Sequence, residues 1–252
     1  MANAEKKTRI PSLAENFQRY FSVSYAATEQ QHNDVYHIRY RVYCDEFGYE
    51  PAERFPDQRE FDEYDASSAH CLITHHTGMP AGCVRLVQVQ NSGDLLPFER
   101  YCGDSVDQAF IDGLQLDRST VCEISRLAVD GAFRRRSGEA LTRFGEVDAM
   151  DCSQQEKRTF SLIAVAAFLA ATALTDITGR TNVFAMMEPF LPRLLKRSGI
   201  LFQRAGKDVD YHGIRAPYFI RTEEALETMR PDLRELYDAI WVQVRQGHDQ
   251  AR

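Results

Sequence analysis

The longest apolar stretch of the chain, residues 162–174, constrains the fold more than any other segment. It reads LIAVAAFLAATAL and contains no charged side chain. The stretch is shorter than the roughly 18 residues expected of a membrane span. We therefore predict a helix over residues 159–178, closed by Gly179, and no transmembrane segment. Because nearly every face of this helix is apolar, it must be buried in a core.

The composition of the chain, 252 residues with a formal net charge of −7, limits the class of protein. Phosphate backbones require a basic face, so this acidic balance argues against nucleic acid as the main partner. The polar start of the chain, MANAEKKTR, does not predict a secretory signal. Six cysteines occur without a Cys-x-x-Cys pair. We therefore expect reduced thiols in a cytoplasmic protein.

Alternating and helical patterns predict a succession of strands and helices along the rest of the chain. We predict strands at 21–28, 69–77, 81–90, 121–129, 182–187, 201–205 and 217–221, and helices at 30–47, 159–178 and 190–198. Residues 49–68 are predicted as a long loop, and residues 91–119 as irregular with a short helix near 106–114. This order predicts a mixed α/β sheet with helices on both faces. No linker interrupts it, so we expect a single domain over 1–252, with a core at about 23–221 and appended helices at 11–20 and 223–246.

The segment Glu123-Ile124-Ser125-Arg126 places two charges near the centre of a predicted strand. Residues three apart on a regular strand point to opposite faces. Two explanations remain open: the strand borders a cleft, or a β-bulge turns both side chains to one face. A surface ion pair at the edge of the sheet is the structural alternative.

An acidic run lies in the predicted long loop, with Glu60, Asp62 and Asp65 spaced as Glu-x-Asp-x-x-Asp. Carboxylates this close repel one another, so the run requires a cation, which could be a substrate ammonium, a metal ion or arginines. A plain solvated loop is the alternative.

Two arginines stand out beside this run, and the helical one, Arg39, could pair with Asp62 or Asp65. Arg39 lies one helical turn before Tyr43 on the predicted helix, so the two share a face. Arg85 lies in the apolar strand Val-Arg-Leu-Val, where its charged group needs a partner.

Taken in this order, these residues resemble the acyl-homoserine lactone (autoinducer) synthases and their relatives, the N-acyl amino acid synthases. The matching positions are Arg39, Tyr43 and Tyr49, then Glu60, Asp62 and Asp65, then Arg85, then Glu123, Ser125 and Arg126. Tyrosine replaces the family's aromatic residues at 43 and 49, and the loss of tryptophan at 49 argues against a homoserine lactone product. The similarity looks closest to the acyltransferases associated with the PEP-CTERM/exosortase system. It also includes residues 191–199 and Tyr211-His212-Gly213.

The resemblance implies the GNAT fold and an N-acyltransferase without a tightly bound cofactor. The donor would be the acyl-phosphopantetheine of acyl carrier protein, or acyl-CoA. The pyrophosphate loop of CoA-dependent GNAT enzymes is matched only in part, at residues 134–138 (RRRSG). This departure favours acyl carrier protein, an acidic partner that could dock on the three arginines of that segment.

The resemblance also suggests a mechanism for acyl transfer to an amine. The thioester carbonyl would lie against backbone N–H groups near Leu127 and Ala128, and Glu123 would act as the base for the attacking amine. The pantetheine arm would pass between this strand and residues 183–186, and the acyl chain would enter the space lined by the apolar helix. Arg126 and Arg39 would hold the acidic loop or a carboxylate of the acceptor, and Asp62 and Asp65 would orient its cationic end. The substrate-binding positions are thus Arg39, Tyr43, Tyr49, Asp62, Asp65, Arg85, Ser125, Leu127 and Ala128, and the catalytic ones are Glu123 and Arg126.

Two other functions remain open. One is a non-catalytic GNAT-like module that binds an acyl carrier or a lipid-like ligand. The other is an ordinary CoA-dependent N-acetyltransferase. We predict no metal site, because strand alternation separates His75 from His76. Cys122 beside His212 is a weak candidate nucleophile, since buried strand cysteines are inert.

Overall fold

The computed structural model describes residues 11–91, 93–133 and 162–252. Its centre is an eight-stranded sheet with the order β1-β2-β3-β4-β5-β8-β6, and β7 pairs with β8. All pairs among these strands are antiparallel except β4 with β5, which is parallel. The strands are β1 Phe21–Tyr25, β2 Ala69–His75, β3 Pro80–Gln88, β4 Val121–Val129, β5 Asn182–Met187, β6 Gln203–Arg204, β7 Val209–Asp210 and β8 Ile214–Arg221.

Helices cover both faces of this sheet, as predicted. They are α1 Leu13–Tyr20, α2 Glu29–Arg39, α3 Pro97–Cys102, α4 Gln108–Leu114, α5 Leu162–Thr178, α6 Leu191–Lys196, α7 Thr222–Thr228 and α8 Pro231–Ala251. A π-helical segment, Tyr40–Glu46, continues α2. The prediction of a mixed α/β sheet is confirmed.

The apolar helix α5 packs in the largest core cluster, together with side chains of α1, α8 and one face of the sheet. Ten of its residues are buried, in agreement with the prediction from its uniform apolarity. Within the described ranges, no helix is long and apolar enough to cross a membrane. The opposite face of the sheet is covered by α2, which packs on β2, β3 and β4.

The predicted helix over residues 30–47 is divided in the structure. A capping box of Thr28 and Gln31 starts α2, and the backbone changes to π-helical geometry after Arg39, with the N–H of Phe47 bonded to the carbonyl of Val42. Periodicity alone does not distinguish the two helix types. Arg39, at the end of α2, and Tyr43, in the π-helical segment, are both buried against the sheet. π-Helical turns of this kind occur frequently at functional sites.

The prediction of irregular structure before β4 was incomplete, because it missed α3. Pro97 is its first residue, and Glu99 accepts a hydrogen bond from the backbone N–H of Leu96. This helix has only six residues, too few for a periodic pattern, and it places the N–H of Phe98 next to β4. The predicted strand at 201–205 shrinks to β6, and the two-residue strand β7 was also missed.

Candidate active site

The parallel strands β4 and β5 separate to form a cleft through the sheet. They pair only from Val121 with Asn182 to Glu123 with Phe184. Beyond Glu123, β5 continues against β8, and β4 continues against β3. The cavity volume of this cleft is about 70 Å³. Its polar wall contains Tyr43, Glu123, Ser125, Arg126, Tyr211 and Arg215, and its apolar wall contains Ile124, Leu127, Phe168, Ala185, Met187 and Leu191.

A β-bulge in β4 explains why charges three residues apart share one wall. Between the pairs Arg85–Ser125 and Cys83–Ala128, β4 advances three residues while β3 advances two. The φ angle of Arg126 is 50°, the left-handed conformation that accompanies such an extra residue. Of the two explanations offered by the sequence, both hold: the strand borders a cleft, and a bulge turns the side chains. The alternative of an edge ion pair is wrong, because β4 lies in the middle of the sheet.

Glu123 is a buried carboxyl group at the narrow end of the cleft, with 3% of its surface exposed. One of its oxygens accepts a hydrogen bond of 2.8 Å from the backbone N–H of Phe98, in the first turn of α3. Burial raises the pKa of Glu123 to about 8, although the Phe98 N–H and the nearby arginines Arg85 and Arg126 act in the opposite direction. Glu123 therefore changes charge near pH 8, within the range that suits a general base.

Behind the cleft, three arginines and four carboxylates form a largely buried ion-pair cluster. Arg39 binds Glu60 at 2.5 Å and Asp65 at 2.6 Å. Arg85 binds Asp62 at 2.6 Å and Asp65 at 3.0 Å. The cation required by the acidic loop is therefore supplied by arginines, and the described residues contain no group of metal-ligating side chains.

Arg126 joins this cluster from the bulge of β4. Its guanidinium lies 3.1 Å from Glu60, 3.2 Å from Asp62 and 3.5 Å from Glu50, and 5.3 Å from the centre of the Tyr43 ring. Burial alone would raise the pKa of Glu60, but Arg39 and Arg126 lower it to about 2. Glu60 therefore stays ionised at neutral pH, and its ion pairs with Arg39 and Arg126 fix the acidic loop against the bulge.

The predicted site residues divide into three groups in the structure. Glu123, Ser125, Arg126, Leu127 and Tyr43 line the cleft, while Arg39, Arg85, Asp62 and Asp65 lie in the ion-pair cluster behind it, and Tyr49 and Ala128 lie outside the cleft lining. Tyr43 donates a hydrogen bond of 3.4 Å to the carbonyl of Leu127, and Arg85 donates one of 3.1 Å to the Ser125 hydroxyl. The catalytic assignment of Glu123 and Arg126 stays a prediction.

Two polar cleft residues had no role in the sequence-based prediction. Tyr211 is half-buried, in the turn between β7 and β8, and Arg215 is buried at the start of β8. Tyr211-His212-Gly213 gave a weak signal as part of the family resemblance, but an isolated arginine at 215 gave none. A row of near-parallel rings, Tyr101, Tyr211, His212, Tyr49 and Phe47, holds this turn against the loop after α2.

An apolar pocket with a cavity volume of about 20 Å³ adjoins the cleft on the α5 side. It shares Ile124, Phe168 and Ala185 with the cleft wall, and its far end is formed by Phe202, Ile220 and Ala225. The cleft therefore joins a polar compartment at Glu123 to an apolar compartment behind the sheet.

Other predicted features are not part of this site. The thiol of Cys122 is buried, burial raises its pKa, and its sulfur contacts the carbonyl of Arg180, whereas His212 lies against Glu50. Those contacts do not form a nucleophile pair. The arginine-rich segment 134–138, with its predicted docking role, and the first ten residues lie outside the described residues.

Comparisons with known proteins agree with this architecture. Residues 38–143 match the family model described as an acetyltransferase (GNAT) domain. The sequence matches none of the curated proteins. TofI, solved in a ternary complex with an inhibitor and MTA, is 20% identical, with a TM-score of 0.58 over 84% of this chain and 98% of its own.

Two further structures show the same fold. BjaI, a CoA-dependent acyl-homoserine lactone synthase solved with SAM and isopentyl-CoA, is 16% identical, with a TM-score of 0.55 over 88% of this chain and 89% of its own. FeeM, an N-acyl amino acid synthase from uncultured soil microbes, is 11% identical, with a TM-score of 0.51 over 85% of this chain and 97% of its own. This chain thus has the GNAT fold, and the matched domain together with that fold supports its prediction as an acyltransferase.

Proposed function

We propose that this protein transfers a fatty acyl group from a carrier-bound thioester to the amine of an amino acid or a related small molecule, giving an N-acyl amino acid. The observation that carries the proposal is the cleft between β4 and β5. It joins a buried titratable carboxyl, Glu123, to an apolar pocket through a gap in the sheet. A thioester placed in the gap has its acyl chain on the apolar side and its carbonyl next to Glu123.

The separation of β4 from β5 also supports the binding of the thioester carbonyl. A strand without a neighbour has unpaired backbone N–H groups on that edge. We propose that such groups near Leu127 stabilise the negative charge that develops on the carbonyl oxygen. The pantetheine arm then lies between β4 and β5, as the resemblance implies.

Proton transfer in this reaction falls to Glu123. The amine nitrogen attacks the thioester carbonyl and gives a proton to the Glu123 carboxylate, directly or through water. The C–S bond breaks, the amide forms, and the departing sulfur takes up a proton to leave as a thiol. Because the pKa of Glu123 is about 8, its base form becomes the majority only above that pH.

The ion pairs favour a positioning role for Arg126 and Arg39 in this mechanism. Both guanidiniums bind carboxylates of the acidic loop at 2.5–3.5 Å. They hold the loop and the bulge, and thereby the orientation of β4. Asp62 and Asp65 bind the same arginines, so in this proposal they act on the acceptor through the loop they fix.

The donor and the cellular setting are proposed from the resemblance. The partial pyrophosphate loop favours acyl carrier protein, and the resemblance to the acyltransferases associated with the PEP-CTERM/exosortase system supports a role in the cytoplasm beside such a system. Acyl-CoA is the second candidate donor, supported by the same fold in a CoA-dependent synthase.

The test is a reconstitution with the purified protein. Acyl carrier protein and CoA, each loaded with the same fatty acyl group, are incubated with a panel of amino acids, and N-acyl products are measured by mass spectrometry. We expect product formation that rises with pH through about 8, and a loss of about 100-fold or more in turnover for Glu123→Gln. A protein that binds the acyl carrier but forms no product with any amine would be a binding module instead.

A further inference from the structure

Helix α6 and the residues on either side of it form part of the wall of both cavities. Leu191 lines the cleft, and Phe202 lines the apolar pocket. Leu195, between them, is buried in the core cluster. Phe190 and Leu201, the chain neighbours of the two lining residues, have 38% and 47% of their surface exposed. One short segment therefore separates the acyl compartment from the outer surface of the protein.

The outer side of this segment is basic. Arg193, Lys196 and Arg197 are all exposed, and their spacing of three and four residues places them on one face of the helix and its last turn. Phe190, three residues before Arg193, continues the same face. Within the described ranges, none of the three basic side chains takes part in an ion pair. They are therefore available to a negatively charged partner.

The charge of the segment is opposite to that of the whole chain. Residues 188–202 contain these three cations and a single carboxylate, that of Glu188, whereas the formal net charge of the chain is −7. Basic side chains are attracted to anionic lipid headgroups, and each one near such a surface raises the binding constant about fivefold, so three give about 100-fold. Aromatic and aliphatic side chains next to them enter the boundary between headgroups and acyl chains. The exposed side of α6 combines both kinds of side chain.

We propose that the α6 surface, formed by Phe190, Arg193, Lys196, Arg197 and Leu201, binds the surface of an anionic lipid bilayer reversibly. An acidic acyl carrier protein is the other partner that a basic surface could bind. The bilayer is favoured because exposed apolar side chains lie on both sides of the basic ones, as they do in helices that lie at a membrane interface.

The use of this binding rests on the proposed N-acyltransferase function. Each CH₂ group of a long acyl chain that enters water disfavours release of the product about fourfold. A bilayer held against the wall of the cleft and the apolar pocket receives the acyl chain without this exposure. The binding itself does not depend on the reaction, so it can be measured without substrate.

The experiment measures sedimentation of the purified protein with lipid vesicles. Vesicles of phosphatidylcholine alone are compared with vesicles that contain about 30% phosphatidylglycerol, an anionic lipid. One variant combines Arg193→Gln, Lys196→Gln and Arg197→Gln, and a second combines Phe190→Ser and Leu201→Ser. The matched control combines Arg19→Gln, Arg54→Gln and Arg245→Gln, which removes the same charge from exposed positions on three other elements.

We expect the wild type to bind the anionic vesicles about 100-fold more tightly than the neutral ones, and to lose most of this preference in about 0.5 M salt, which screens the charges. The basic variant should lose about 100-fold in affinity for anionic vesicles, whereas the control should lose less than about 3-fold. The apolar variant should lose about 10-fold, because only part of each side chain is exposed to enter the lipid.

Equal binding of the wild type to both kinds of vesicle, or equal losses for the basic variant and the control, would overturn the inference. Unchanged vesicle binding together with a higher KM for acyl carrier protein in the basic variant would also overturn it, and would assign the α6 surface to the carrier.

All the substituted side chains are exposed, so the variants should keep the circular dichroism spectrum and the urea midpoint of the wild type. Should one α6 variant not fold, the other and the salt dependence of the wild type still decide the result. The absence of N-acyl product with every donor and amine would overturn the proposed function, but it would leave the vesicle binding as measured.

Discussion

The buried carboxyl group of Glu123 makes the stability of this protein depend on pH in a calculable way. The ordinary pKa of a glutamate is 4.5 and the pKa of Glu123 in the fold is about 8, because burial disfavours its charged form. Because the pKa is higher in the folded state than in the unfolded state, Glu123 contributes its full stabilisation below pH 4.5. This contribution to the free energy of unfolding is lost as the pH rises to about 8. The difference of roughly 3.5 pH units corresponds, at 1.36 kcal/mol each, to an upper limit of roughly 5 kcal/mol.

Glu123→Gln removes this dependence while preserving the shape of the side chain. The amide oxygen of glutamine can still accept the hydrogen bond from the Phe98 N–H, which is 2.8 Å long in the wild type. Relaxation of the charged site reduces the full effect, so we expect the variant to gain about 2–4 kcal/mol relative to the wild type between pH 5 and pH 8.5. The free energy of unfolding is measured in urea at pH 5, 7 and 8.5.

The matched control for this prediction is Glu227→Gln, which changes an exposed glutamate on α7. We expect its stability to follow that of the wild type within about 0.5 kcal/mol at each pH. Parallel pH profiles for the wild type and Glu123→Gln would refute the reasoning, since they would mean that burial does not raise the pKa of this carboxyl.

Two other substitutions test the ion-pair cluster and the apolar pocket. Arg126→Leu removes a buried partner of Glu60 and Asp62, so we expect the free energy of unfolding in urea to fall by about 3–5 kcal/mol. The control Arg54→Leu changes an exposed ion pair and should lower it by less than about 1 kcal/mol. Equal losses for the two variants would contradict this account. Phe202→Ala enlarges the far end of the apolar pocket, so the variant should prefer acyl chains that are longer by roughly two to four carbons. The preference is measured by mass spectrometry of the products formed from a mixture of donors. An unchanged chain length would mean that the acyl group does not bind in this pocket.

Local patterns in the sequence were sufficient to predict the positions of most strands in the sheet. The predicted strands at residues 121–129 and 182–187 end at polar or turn residues, and the structure places β4 and β5 within those bounds. The uniform apolarity of residues 162–174 likewise predicted the buried helix α5. These features depend on neighbours in the chain, so their signal is contained in short segments.

The resemblance of the motifs also predicted which residues lie near one another. Glu123, Ser125, Arg126 and Tyr43 meet in one cleft, and the acidic loop meets the arginines. The sequence did not indicate which arginine binds which carboxylate, because each pair depends on the exact approach of α2, the loop and the sheet. It left open a metal or a substrate as the cation, and the structure supplies three arginines instead.

By itself, the sequence determined the fold class, the buried helix and the charged segment of β4. Only the tertiary structure decided that Glu123 and Arg126 share one wall, because the bulge arises from the pairing of β4 with β3, some 40 residues earlier in the chain. The raised pKa of Glu123 and the placement of Arg215 depend in the same way on packing between distant segments. Burial and register are properties of the assembled sheet, and no local pattern around residue 123 or 215 specifies them.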